Sequence, residues 1–204
     1  MTLSYLALGD SYTIGEGIDE AGRWPMQLAQ GLRDGGIAIA DPRIIATTGW
    51  TTDELSAAMD AAEPLGEWDV VSLLIGVNNQ YRGRDVDDYL GEFTRLLQRA
   101  IALAGDRTDR VLVLSIPDWG VTPFAFASGR DRQTIADDID AYNAAAQELC
   151  EAHGVAFVNI TDISRDDGDS PAMLADDALH PSAAQYARWA DAALPVALDV
   201  LSVT

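Results

Sequence analysis

Short apolar runs alternate with longer helical patterns along the whole chain. Five runs have the length of strands, and several are almost continuously apolar, as strands that are covered on both faces must be. The predicted strands are Tyr5–Leu8, Arg43–Ala46, Val70–Ile75, Val111–Ile116 and Val155–Asn159. Apolar residues at helical spacing follow each strand. The predicted helices are Trp24–Leu32, Asp53–Ala62, Val86–Ala104, Gln133–Ala152 and Ser182–Leu201.

Local signals mark several helix ends. Thr51 and Glu54 have the spacing of a capping box, which predicts the start of the second helix. Gly105 and Gly154 follow the third and fourth helical patterns, where a glycine commonly ends a helix.

Fivefold alternation of strand and helix predicts an α/β protein with a parallel sheet and helices on both faces. Right-handed crossovers bring the carboxyl ends of all strands to one edge, where such sheets bind ligands. No linker, internal repeat or change of composition divides the chain, so residues 1–204 are predicted to form one domain.

The charge of the chain excludes several classes of function. Thirteen basic and 33 acidic residues give a net charge of −20, and every basic residue is an arginine. Without lysine, the chain cannot use a P-loop lysine, a Schiff base or pyridoxal phosphate. Strong negative charge also argues against binding to nucleic acid or to an anionic membrane. Because the acidic residues are spread along the chain, we interpret them as aids to solubility or salt tolerance rather than as a site for a cationic partner.

We expect a cytoplasmic protein. Cys150 is the single cysteine, so no intramolecular disulfide is possible. Met1–Leu8 has no basic segment of a secretion signal, and no apolar run approaches the length of a membrane span. Neither a cofactor motif nor a metal site is predicted, since the two histidines are far apart and Asp166–Asp169 lacks the spacing of a calcium loop. The oligomeric state is not predicted.

The two histidines have different surroundings. His153 lies at the end of a predicted helix, where a structural role near the last carbonyls is expected. His180 lies in a loop after the last strand, three residues beyond Asp177, which could accept a hydrogen bond from its ring. A solvated loop histidine would show the same pattern, so both interpretations stay open on this evidence alone.

Ser11 directly follows Gly9 and Asp10 at the end of the first strand, on the edge where ligands bind. A serine needs a base, and the base needs an orienting group, before its hydroxyl becomes a nucleophile. Asp177 and His180 would supply both at the same edge. The alternative for Ser11 is a turn or helix-cap residue, which is common after a strand.

Gly49 and Asn78 follow the second and third strands and could stabilise an oxyanion. Gly49 offers a backbone N–H without a side chain in the way, and Asn78 offers a neutral amide donor. Each could also be an ordinary turn residue. Their occurrence at successive strand ends favours a shared site.

Four short blocks carry a resemblance to a known family. They are Gly9-Asp10-Ser11, Gly49, Gly76-Val77-Asn78-Asn79 and Asp177-Ala178-Leu179-His180-Pro181. In order and spacing they resemble the blocks of the SGNH, or GDSL-type, hydrolases. Two departures are Asn79, where the family usually has Asp, and Tyr12, where Leu is commoner. Neither is one of the four functional positions.

The resemblance implies a flavodoxin-like, three-layer α/β/α sandwich with a five-stranded parallel sheet. It also implies a metal-independent serine hydrolase that needs no cofactor. Ser11 would attack the acyl carbon, His180 would accept its proton and Asp177 would orient His180. The backbone N–H groups of Ser11 and Gly49 and the side chain of Asn78 would form the oxyanion hole.

Residues near this edge are candidates for binding the substrate. They are Tyr12, Trp50, Asn79, Tyr81 and Trp119, with Phe124 and Phe126 in a long stretch, Asp118–Arg130, that could act as a flap. Aromatic residues also pack loops for stability, and that alternative stays open.

The sequence therefore predicts hydrolysis of a small-molecule carboxylic ester of small or moderate acyl length. A thioesterase or lysophospholipase of the same family is the first alternative. A catalytically silent ligand-binding domain is the second, although all the triad residues are present.

Overall fold

Five parallel strands form one sheet in the computed structural model, which describes residues 1–202. The strands are β1 (Tyr5–Gly9), β2 (Arg43–Ala46), β3 (Val70–Leu74), β4 (Val111–Leu114) and β5 (Ala156–Val158). Their order is β2-β1-β3-β4-β5, and every neighbouring pair is parallel. This is the flavodoxin-like order, whose ligand crevice lies between β1 and β3 at the carboxyl edge. The predicted fold class is confirmed.

The longer helices lie close to their predicted limits. They are α2 (Trp24–Asp34), α3 (Thr52–Ala61), α5 (Val86–Leu103), α7 (Arg132–His153) and α9 (Ala183–Ser202). The capping box of Thr51 and Glu54 is present, and Gly154 ends α7 with a φ of 68°. No end differs from its prediction by more than two residues, which is the usual uncertainty of a helix boundary.

Short helices follow the strands and were not predicted, because one helical turn carries no apolar period. They are α1 (Ser11–Ile14), α4 (Val77–Tyr81), α6 (Pro123–Ser128) and α8 (Thr161–Arg165). Asp118–Arg130, which the sequence suggested as a flap, contains α6 and a 3₁₀ turn at Trp119–Val121. It is therefore a folded segment rather than an irregular loop.

Helices cover the sheet in two groups. α2 packs against α9, while α5 packs against both α3 and α7. β1, β3 and β4 are buried along their whole length, as their continuous apolar character predicted. Among residues 1–202, no helix is both long enough and apolar enough to cross a membrane. The predicted domain of residues 1–204 includes residues 203 and 204, which lie outside the described part.

Candidate active site

Ser11 is the first residue of α1, immediately after β1. Asp10 caps this helix, since its Oδ1 accepts the N–H of Tyr12 at 3.0 Å. The turn is so tight that a Cβ on Gly9 would lie 2.1 Å from Thr13 Oγ1 and 2.5 Å from the carbonyl oxygen of Leu74. Only glycine fits there, so the local backbone explains why Ser11 is preceded by Gly9 and Asp10.

His180 and Asp177 form a close pair in the loop before α9. His180 Nδ1 lies 2.5 Å from Asp177 Oδ2, and Asp177 Oδ1 accepts the backbone N–H groups of Leu179 and His180, each at 2.9 Å. Partial burial raises the pKa of Asp177. The hydrogen bonds from the His180 ring and from the two N–H groups outweigh that effect, and the pKa lies below its ordinary value. Asp177 therefore remains an anion that holds the His180 ring in one orientation.

Aromatic packing supports the ring of His180 from behind. The Tyr12 ring lies 5.3 Å from the imidazole and 6.0 Å from Trp189, measured between centroids. His180 is 7% exposed and Ser11 is 4% exposed, yet both line the same cavity of about 220 Å³. The Ser11 hydroxyl makes no hydrogen bond to His180 within the part of the chain that the structure describes. Such bonds commonly tighten only when substrate is bound.

Three hydrogen-bond donors face this cavity beside Ser11. Gly49 lines the cavity with a φ of 87°, and a Cβ there would meet nothing within 4 Å, so no neighbouring atom fills the space beside its Cα. Asn78 Nδ2 donates one hydrogen to the carbonyl of Trp50 at 2.9 Å, which leaves the other for a ligand. The N–H groups of Ser11 and Gly49 donate to no protein acceptor in residues 1–202. Together these donors can stabilise a developing negative charge.

Two predicted substrate-binding residues do not line the cavity. Asn79 is completely buried. Its Oδ1 accepts the N–H of Thr52 at 3.1 Å, and its Nδ2 donates to Thr52 Oγ1 at 2.6 Å. Successive residues of a helix point about 100° apart, so α4 directs Asn78 towards the cavity and Asn79 towards α3. Trp50 packs against the core instead and contributes its carbonyl to Asn78.

The structure places the other three predicted substrate-binding residues, Tyr12, Tyr81 and Trp119, in the cavity wall. Phe124 also lies there, whereas Phe126 is 77% exposed on the outer side of α6. Sequence reasoning missed the lining residues Thr48, Val77 and Leu179. Val77 and Leu179 are the immediate neighbours of Asn78 and His180, and this adjacency was the only available signal.

Neither His153 nor Cys150 belongs to this site. His153 Nδ1 lies 2.9 Å from the carbonyl oxygen of Leu149 at the end of α7, which is the structural arrangement expected for it. Burial raises the pKa of the Cys150 thiol to about 12, so it stays protonated and unreactive. Within residues 1–202, no group of three or more His, Cys, Asp or Glu could hold a metal ion.

Asp10 is an additional ionisable group that the sequence analysis did not assign. It is completely buried, and its Oδ2 has no hydrogen-bond partner in the described chain. Burial raises its pKa to about 7, against the smaller opposing effect of the Tyr12 N–H. A carboxyl group beside the candidate nucleophile is thus partly protonated near neutral pH.

Comparisons with known proteins identify the family and the fold of this chain. The model of the GDSL-like lipase/acylhydrolase family matches residues 7–188. The crystal structure of TesA is similar with a TM-score of 0.74 and 20% identity, covering 97% of this chain and 99% of that one. The crystal structure of the lipase/acylhydrolase from Enterococcus faecalis has a TM-score of 0.73 and 19% identity, and the match covers 100% of this chain and 98% of that one. The crystal structure of the acetylxylan esterase Axe2 from Geobacillus stearothermophilus has a TM-score of 0.71 and 19% identity, and the match covers 96% of this chain and 94% of that one. No curated protein matches the sequence.

Proposed function

Because this chain belongs to the GDSL-like lipase/acylhydrolase family, we propose that it cleaves small-molecule carboxylic esters through an acyl-enzyme on Ser11. One observation carries the proposal: His180 is held by Asp177 at 2.5 Å and shares a cavity with Ser11, Gly49 and Asn78. A cavity of about 220 Å³ that is lined by a serine, a histidine held by a carboxylate, and hydrogen-bond donors supports this proposal, because acyl transfer needs these groups together.

In the first half of the reaction, Ser11 Oγ attacks the carbonyl carbon of the ester. His180 Nε2 takes the hydroxyl proton, and Asp177 stabilises the resulting imidazolium. The N–H groups of Ser11 and Gly49 and the amide of Asn78 donate to the negative oxygen. When the tetrahedral intermediate collapses, His180 passes its proton to the leaving alcohol, and the acyl group remains on Ser11.

In the second half, water replaces the alcohol. His180 takes a proton from the water as it attacks the acyl carbon, and the same donors hold the oxyanion. Collapse of this intermediate breaks the bond to Ser11 Oγ, which recovers its proton from His180, and the carboxylic acid is released. Protein groups supply every proton transfer in this scheme.

The test is hydrolysis of p-nitrophenyl butyrate by the wild type and by Ser11→Ala and His180→Ala. Both variants should lose roughly 10⁴-fold or more in kcat, because triad residues act as a unit. His153→Ala is the matched control and should keep wild-type kcat, since the His153 ring bonds to the Leu149 carbonyl at the end of α7 and does not line the catalytic cavity. Near-normal activity of Ser11→Ala would disprove the assignment of the nucleophile.

The same variants should be measured on butyryl-coenzyme A, because a thioester presents the same carbonyl to Ser11. A higher kcat/KM on the thioester than on the oxygen ester would replace the esterase proposal with a thioesterase of the same mechanism.

A further inference from the structure

Three aromatic side chains form a continuous part of the wall of the catalytic cavity. Tyr81 at the end of α4 contacts Trp119 with 5.2 Å between ring centroids, and Trp119 contacts Phe124 at 6.2 Å. Both pairs meet edge to face, at interplanar angles of 65° and 63°, which is a favourable geometry for aromatic rings. The three rings therefore form one wall rather than three separate contacts.

A second cavity of about 420 Å³ adjoins this wall, and Tyr81 lines both cavities. The character of the second cavity is different. Its other lining residues are mostly polar or charged: Gln80, Arg82, Gly83, Arg130, Asp131, Thr134, Ile135 and Asp138. Tyr81 is thus shared by a space beside Ser11 and a second space that most of its neighbours line with polar or charged side chains.

Residues of the second cavity hold the wall in place. The guanidinium carbon of Arg130 lies 4.2 Å from the centre of the Tyr81 ring and 5.6 Å from that of Trp119, within the range of a cation–π contact. Arg130 Nη1 also donates to the Tyr81 carbonyl at 2.9 Å. Trp119 Nε1 donates to Gln80 Oε1 at 2.8 Å, and Gln80 in turn donates to Asp138 at 3.2 Å. Both rings are therefore fixed from the side opposite the catalytic cavity.

We propose that Tyr81 and Trp119 close the acyl pocket and restrict the enzyme to esters of short acyl chains. The cavity of about 220 Å³ is smaller than the roughly 300–1,000 Å³ of pockets that bury drug-sized ligands, so we expect it to hold the ester group and an acyl chain of at most about six carbons. A longer chain would have to displace Tyr81 and lie against charged groups, which is unfavourable for apolar surface. This inference rests on the proposed function and adds the substrate class and the residues that set it.

The test is kcat/KM for p-nitrophenyl esters of acetic, butyric, hexanoic, octanoic and decanoic acid. For the wild type, kcat/KM should fall by about tenfold or more between hexanoate and octanoate. Tyr81→Ala joins the two cavities and should raise the ratio of octanoate to butyrate turnover by about tenfold. Arg130→Gln should shift this ratio in the same direction by a smaller factor, because the ring is then held less firmly.

Two controls accompany these variants. Phe126→Ala removes an aromatic side chain that is exposed and outside the cavity. The ratio of octanoate to butyrate turnover of this variant should therefore equal that of the wild type. Tyr81→Phe keeps the ring and should keep the selectivity. Since Tyr81 is itself partly exposed and Arg130 lies on the surface, the variants are expected to fold, which melting temperatures would verify.

The outcomes separate this inference from the proposed function. If Tyr81→Ala leaves the ratio unchanged, or if the wild type prefers decanoate, the wall does not limit the acyl chain, while hydrolysis that depends on Ser11 still supports the esterase. If the wild type cleaves no member of the series, the proposed function fails and the inference fails with it.

Discussion

Arg82 Nη2 donates to the backbone carbonyl of Gly49 at 2.6 Å, so the end of α4 is tied to the loop after β2. Asn78 makes a parallel connection from the same helix to the carbonyl of Trp50. Arg82 also forms an ion pair with Glu54 at 3.2 Å, which directs its guanidinium towards this loop. Two of the three proposed oxyanion donors, Gly49 and Asn78, therefore lie on segments that are joined directly to each other, and Arg82 makes one of the two connections.

We expect Arg82→Gln to lower kcat on p-nitrophenyl butyrate by about tenfold, because an oxyanion donor that moves slightly stabilises the transition state less. KM should change little, since Arg82 does not line the catalytic cavity. Arg82→Lys should restore part of kcat by keeping a donor near the Gly49 carbonyl.

Arg84→Gln is the matched control for Arg82. Arg84 lies two residues further along and pairs with Asp53 at 2.6 Å; unlike that of Arg82, its guanidinium donates only to carboxylates and to no backbone carbonyl within residues 1–202. Loss of the Arg84 guanidinium should leave kcat unchanged. The positioning role of Arg82 is rejected if Arg82→Gln keeps wild-type kcat, or if kcat falls only together with the melting temperature.

The neighbouring residues Asn78 and Asn79 should respond to mutation in opposite ways. Asn78→Ala should lower kcat by roughly 10²–10³-fold, with little change in stability, if its amide donates to the oxyanion. Asn79→Ala should lower the free energy of unfolding by about 1–3 kcal/mol, because Thr52 loses buried hydrogen bonds. Measuring kcat and urea unfolding for both variants would distinguish the roles. If Asn78→Ala and Asn79→Ala lost kcat equally, the assignment of a catalytic role to Asn78 and a structural role to Asn79 would be contradicted.

Asp10 should make stability depend on pH. Burial raises its pKa in the folded protein to about 7, above the ordinary value of 3.8 that it regains on unfolding. Between these values the folded state binds more protons than the unfolded state, so stability is highest at low pH and is lost as pH rises towards 7. Asp10→Asn removes this proton and should abolish its part of the pH dependence.

Urea unfolding of the wild type and Asp10→Asn at pH 5 and pH 8 would measure this effect. The variant should gain about 2 kcal/mol relative to the wild type over this interval. Comparing the two proteins at each pH cancels the titration of the other acidic residues. A difference in stability that is the same at both pH values would show that Asp10 is ionised in the folded protein throughout.

The net charge of −20 should make stability increase with salt. At an ionic strength of 0.01 M the screening length is about 30 Å, and at 1 M it is about 3 Å, so repulsion between carboxylates is largely removed. We expect the melting temperature to rise by several degrees over this range of sodium chloride. A melting temperature that stays constant or falls would show that arginine pairs, such as Arg84 with Asp53, already balance the repulsion.

Much of the fold could be read from local patterns. Almost continuously apolar runs such as Val70–Ile75 identified buried parallel strands, because strands covered on both faces carry mostly apolar side chains. The α1 and α4 helices could not be predicted, since each has too few residues to show a period. For the same reason the stretch after Asp118 looked like an open loop, although it contains α6 and carries the Phe124 side chain into the cavity.

For the candidate site, the sequence by itself determined which chemical groups are present: Ser11, Asp177 and His180 are the residue types that acyl transfer needs, and their order along the chain resembles that of the family. Tertiary structure decided which groups share a cavity. It brings Gly49 and Asn78 to Ser11, because β2 and β3 both pair with β1, and it places His180, from the loop before α9, in the same cavity. It also decided the roles of neighbours. Asn78 and Asn79 are consecutive residues of α4, yet Asn78 lines the cavity and Asn79 is buried in the core. Neither composition nor spacing shows the direction of a side chain. The wall of Tyr81, Trp119 and Phe124 likewise combines two segments, α4 and the stretch Asp118–Arg130, that only packing brings together.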